Sequence, residues 1–122
     1  MKKDYKLDVP NRFIDETLAK HWRIDKSKES FKRLLNHIDN TTNFRSYFEE
    51  AISHIPWDTL GDDLVIADIG SGVGWTSSIL AMNPKVKKVY SVEPGLSRAK
   101  RIQYVTEHFG VDINKVEHIN GS

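Results

Sequence analysis

Three glycines fall within five positions in Asp68-Ile69-Gly70-Ser71-Gly72-Val73-Gly74, directly after the short apolar run Leu64 to Ile69. Glycine takes positive φ without strain and lets another group approach the main chain with no Cβ in between. Three of the chain's seven glycines at alternate positions exceed what a simple turn needs. The run before them, bounded by Gly61-Asp62-Asp63, reads as a strand buried on both faces. A helix opens around Trp75, carries Ile79, Leu80 and Met82, and ends before Pro84, because proline clashes with the preceding turn.

The same alternation continues to the end of the chain. Val89 to Val92 reads as a second strand, and Leu96, Ala99, Ile102, Val105 and Phe109 mark an amphipathic helix closed by Gly110 at the left-handed C′ position. Val116 to Ile119 reads as a third strand. Strands alternating with helices of this length pair in parallel through crossovers, so residues 61–122 predict a β-α-β-α-β unit, an α/β fold with a Rossmann-like parallel sheet.

Residues 1–60 have a different character, rich in aromatic and charged side chains, and predict an α-helical segment with a boundary near Gly61. Phe31, Leu34, Leu35 and Ile38 recur at helical spacing with Ser27 or Ser30 as cap, and a second stripe from Phe44 through Tyr47, Phe48, Ala51 and Ile52 to Ile55 stops at Pro56. The two read as a helical hairpin. Phe13, Ile14, Leu18 and Trp22 suggest a further short helix, and Trp22 and Trp57 read as core or junction residues.

Composition removes several classes of function. Eighteen Lys plus Arg against seventeen Asp plus Glu leave a net charge of +1, too small a field to capture nucleic acid or an anionic membrane. The basic run Lys85, Lys87, Lys88 with Arg98, Lys100 and Arg101 reads as a solvated face, since no aromatics interleave it. The absence of cysteine excludes disulfide scaffolds, thiolate metal sites and cysteine nucleophiles. Polar residues follow Met1-Lys2-Lys3 where a secretion signal needs an apolar stretch, and no window approaches the length of a bilayer span, so the expected location is the cytoplasm. Adjacent carboxylates in Glu49-Glu50 and Asp62-Asp63 point in different directions, so no metal site is read. His21, His37, His54, His108 and His118 lack ligand or dyad spacing and read as ordinary helix or loop residues.

The chemistry therefore lies in the glycine bend. A helix N-terminus beyond it predicts free N–H groups and positive potential for a ligand with anionic or hydroxyl groups. The second strand ends at Glu93, 23 residues after Gly70, where a carboxylate facing the same crevice suits ribose hydroxyls. The dinucleotide fingerprint G-x-G-x-x-G requires its third glycine where this chain has Trp75, and a carboxylate at position 93 also repels a 2′-phosphate.

The pattern present, D-x-G-x-G-x-G followed by V-Y-S-V-E at the second strand, closely resembles the class I S-adenosylmethionine-dependent methyltransferases over Leu64 to about Ser122. The resemblance implies that Gly70, Gly72 and Gly74, with Ser71 between them, lie along the methionine and ribose parts of S-adenosylmethionine. It also implies that Asp68 approaches the methionine amino group, that Glu93 binds the ribose hydroxyls, and that Pro94, Gly95 or Leu96 borders the adenine. Trp75 either packs between helix and sheet or covers the methionine end of the pocket. In the family an N-terminal helical segment often caps the cofactor.

A full domain of that family has a larger sheet than the three strands read here, so the expectation is a cofactor-binding half whose parent continues past Ser122. The first strand then keeps an open, apolar edge, and a homodimer through that edge is the alternative. The acceptor and the catalytic base stay unassigned. Two other functions remain open: a nicotinamide-dependent oxidoreductase, and a non-catalytic module that binds adenosine ligands or a partner chain.

Overall fold

The computed structural model describes residues 27–94 and 96–120, so the Phe13 to Trp22 stripe, His21 and Gly95 lie outside the described residues. Helices α1 (Lys28–Asn36), α2 (Phe44–Ser53) and α3 (Trp57–Leu60) come first, with a π-helical turn at His37–Thr41 between the first two. Strand β1 (Leu64–Ile69), helix α4 (Trp75–Ala81), strand β2 (Val86–Val92), helix α5 (Leu96–His108) and strand β3 (Val116–Ile119) follow. The three strands are parallel in the order β1-β2-β3, so the β-α-β-α-β alternation is present as a mixed α/β architecture with an open sheet.

Local chemistry explains most of the element ends. Ser27 caps α1 by accepting the Ser30 N–H at 3.3 Å. Trp57 anchors the start of α3 by donating its indole N–H to the Ile52 carbonyl at 3.0 Å. Lys115 donates to the Ala81 carbonyl at 2.7 Å, which places a cation on the last turn of α4. Gly110 sits at φ 74° just beyond α5, the left-handed stop expected there.

The expected hairpin of α1 and α2 is not formed along their lengths. Helix α1 instead lies against α5, where Leu34 and Ile38 share a buried cluster with Val73 and Val105. Helix α2 sends Phe48 and Ile52 toward a second cluster built over the sheet from Leu80, Ala81, Val86, Val89, Ile102 and Val116. The intervening π-helical turn separates the two stripes, and each packs onto residues of the β-α-β-α-β half. The described helical segment therefore shares its core with the sheet. Met82, expected on the apolar face of α4, lies past its end and is 54% exposed.

The expectation that β1 is buried on both faces is corrected: its burial alternates along the strand. One face carries the register rows Ile66, Val89, Val116 and Asp68, Ser91, His118 beneath the helices. The other carries Val65 at 60% exposure and Ile69 at 73%, beside a Lys88–Glu117 ion pair of 3.6 Å. Among the described residues the helices cover one side of the sheet. No helix among them is long and apolar enough to cross a membrane.

Candidate functional site

Parallel pairing sets the site. Ile69 lies beside Val92, so the carboxyl ends of β1 and β2 are level. The chain leaving β1 turns through Gly70, Gly72 and Gly74 at φ 72°, 61° and 85°, a region that side chains with a Cβ rarely enter. A Cβ on Gly74 would stand 2.9 Å from Ile102 of α5, whereas none would meet an atom within 4 Å at Gly70 or Gly72. Close helix packing thus falls on Gly74, one position before the third glycine of a dinucleotide fingerprint.

The bend spends its own amides within the fold, while the N–H groups of Trp75, Thr76 and Ser77 at the helix N-terminus beyond it find no acceptor among the described residues. Gly70 and Ser71 both donate to the Val92 carbonyl, at 2.8 and 3.2 Å, and Gly74 donates to the Ser71 carbonyl at 3.0 Å. The Gly72 N–H donates to Glu93 Oε2 at 2.8 Å. The physical cause is the closeness of β2, whose end supplies a carbonyl and a carboxylate to the turn.

Glu93 is only 5% exposed, and Gly72 is one of its partners. Its backbone is pinned as well: its N–H donates to the Ile119 carbonyl at 3.1 Å, and His118 Nε2 donates to its carbonyl at 3.0 Å. Asp68, half-buried at the end of β1, accepts from the Thr76 hydroxyl at 2.6 Å and from the Ser77 hydroxyl at 2.7 Å. Ser91 joins Ser77 to Ser71 through contacts of 2.9 and 2.6 Å. Two carboxylates thus flank the bend, one behind it and one beneath it.

A cleft of about 330 Å³ opens over the loop, within the lower range of small-ligand sites. Leu34, His37, Ile38 and Phe44 line one wall, and Gly70, Ser71, Gly72, Val73, Trp75 and Thr76 line the other. Trp75 packs toward the helical segment and α5 rather than between α4 and the sheet: it meets Phe48 edge-to-face at 5.4 Å, lies against the cluster of Leu34, Ile38, Val73 and Val105, and borders the cleft. Asp68, Glu93 and Pro94 do not line the cleft. Glu93 reaches it through Gly72, Asp68 through Thr76, and Pro94 is exposed beyond β2.

Sequence reasoning missed Thr76, Ser77 and Ser91, and it missed His37 and Phe44 as cleft residues. The period of two in Val89-Tyr90-Ser91-Val92-Glu93 was the available signal, since it puts Ser91 on the inward face with Val89 and Glu93. His108 is an ordinary packing residue, stacked on Phe31 at 4.8 Å. Comparison with family models, with curated proteins and with solved structures found no match.

Proposed function

We propose that this chain is the cofactor-binding half of an S-adenosylmethionine-dependent methyltransferase, with Asp68 and Glu93 as its two anchoring carboxylates. The observation that carries the reading is the 2.8 Å contact from the Gly72 N–H to Glu93 Oε2, which joins the glycine bend to the acidic strand end. A carboxylate accepts hydrogen bonds, which is what the paired hydroxyls of a ribose offer. The two nearby carboxylates suit a ligand that is uncharged or positive at this point, which favours a nucleoside bearing a sulfonium and an ammonium over a nicotinamide dinucleotide.

Within this reading Glu93 acts on the sugar from behind the loop beside Gly72, Asp68 acts on the amino group beside Thr76, and Trp75 and Phe44 line the cleft. When bound, such a donor supplies a methyl group on positive sulfur for in-line transfer to a nucleophile. The chain's part is positioning, worth roughly 7–11 kcal/mol for well-oriented reactants. Calorimetric titration tests it: S-adenosylmethionine and S-adenosylhomocysteine bind and NAD does not, whereas binding of NAD alone overturns the assignment.

A second reading, pairing with another chain through β1, is favoured by one observation. Among the described residues the outer edge of β1 has no strand partner, and its outward face exposes Val65 and Ile69.

A further inference from the structure

A second cavity, of about 280 Å³, lies on the flank of the sheet between α5 and β3, reaching from the short turn Ile113–Lys115 to His118. It shares no lining residue with the cleft over the glycine bend. Ile102 and Val116, both buried, give it an apolar floor, and Ile113 borders it while 41% exposed. A ligand lying here would take that exposed apolar surface out of water. The polar lining is Gln103, Thr106, Asn114 and His118, with no Lys, Arg, Asp or Glu among the described residues that border the cavity. A fixed charge would find no opposite charge in this lining, so the ligand that fits is uncharged.

The lining is held from behind. His118 Nε2 donates to the Glu93 carbonyl at 3.0 Å, and Ile102 presses on the bend, 2.9 Å from where a Gly74 Cβ would stand. The Asn114 N–H donates to Asp112 Oδ1 at 2.9 Å, and its carbonyl accepts from Lys88 Nζ at 2.9 Å. A cavity anchored on its far side does not close by rotation of one side chain, so little ordering is left for a ligand to impose.

The same bonds set the polarity of the inner wall. With the donated proton on Nε2, the neutral His118 ring keeps a lone pair at Nδ1. Ser78 spends its hydroxyl proton on the Gly74 carbonyl at 2.8 Å. The Thr106 hydroxyl, 3.2 Å from that of Ser78, therefore supplies the proton between them and keeps only lone pairs. The buried end of the cavity accepts hydrogen bonds, while the exposed amides of Gln103 and Asn114 can donate or accept at its rim.

We propose that this cavity is a second binding site, independent of the nucleoside reading, for an uncharged aromatic group of one or two fused rings that carries a single N–H or O–H donor. Its ring lies against Ile102, Ile113 and Val116, and its donor meets His118 Nδ1. The volume suits such a group, since an apolar cavity of about 150 Å³ is enough for benzene.

The test uses indole and 1-methylindole, in which a methyl group replaces the donor proton. Each is titrated into the full chain and followed by amide shifts in NMR spectra. Indole is expected to move residues 102–106 and 113–118, and 1-methylindole to bind about fivefold more weakly, the scale of one neutral hydrogen bond. His118→Phe keeps a ring beside Val116 but removes the acceptor, and should make the two probes equal. Gln103→Trp, at an exposed rim position that leaves the fold intact, sets a ring over the cavity and should weaken indole at least tenfold; it serves if His118→Phe does not fold. Shifts confined to residues 34–44 and 70–76, equal affinity of the two probes for the wild-type chain, or indole binding undiminished in Gln103→Trp overturns the site.

Discussion

At Gly74 two constraints coincide that are separate at Gly72. Both positions sit in left-handed backbone, at φ 85° and 61°, but only Gly74 faces a neighbour, Ile102, at 2.9 Å from where a Cβ would stand. Gly72→Ala should therefore cost about 1–2 kcal/mol, the conformational penalty alone. Gly74→Ala should add overpacking against α5 and reach about 2–4 kcal/mol. Urea unfolding midpoints at unchanged m-value measure the difference, and equal losses would mean that α5 does not press on the bend. Glu93 needs the same separation of roles. Glu93→Ala removes the charged partner of the half-buried Gly72 N–H and should cost about 1–3 kcal/mol. Glu93→Gln keeps an amide oxygen for that N–H, so its stability should stay near wild type while its affinity for S-adenosylhomocysteine falls. A Gln variant that binds as tightly as wild type would remove the carboxylate from the site.

At the scale of elements, the sequence was most readable where one local rule acts alone. Ser27 capping α1, Pro84 limiting α4, Gly110 ending α5 and the run Val116–Ile119 forming β3 each follow from a neighbour in sequence. The errors arise where two distant segments decide. The run Leu64 to Ile69 is apolar on both faces, yet only Leu64, Ile66 and Asp68 turn toward the helices, because what covers a sheet is set by other elements. The stripes of α1 and α2 were legible, but their partners were Val105 and the sheet cluster rather than each other. In the site, the glycine bend and Glu93 were legible from spacing. The hydroxyl chain was not, because Ser71, Ser77 and Ser91 meet only once the strands are in register. The one-sided sheet gives a direct prediction. Val65→Thr and Ile69→Thr should each change stability by less than about 0.5 kcal/mol, and Ile66→Thr by about 1–3 kcal/mol. Comparable losses at all three positions would show that β1's outward face is covered in solution.

On the scale of the whole molecule, the cleft belongs to neither half of the chain. Leu34, His37, Ile38 and Phe44 come from the helical segment, and Gly70 through Thr76 come from the bend, while Phe48 and Trp75 lock the two together. A ligand that fills the cleft must hold both walls, so its binding free energy appears as stability of the joined structure rather than of the loop alone. For a ligand that binds only the folded state, the gain is about 2.7 kcal/mol at a hundred times its Kd, which raises the melting temperature by several degrees. Amide exchange separates this from a loop-only site. With S-adenosylhomocysteine at saturation, protection should rise together at residues 34–44 and 70–76, because opening either wall releases the ligand. Protection confined to 70–76 would leave the helical segment as scaffold and strip Phe44 and His37 of any part in recognition. A rise at both, lost in Glu93→Gln at the same ligand concentration, would tie the far wall of the cleft to the carboxylate behind the bend, two groups that only the assembled fold brings to one ligand.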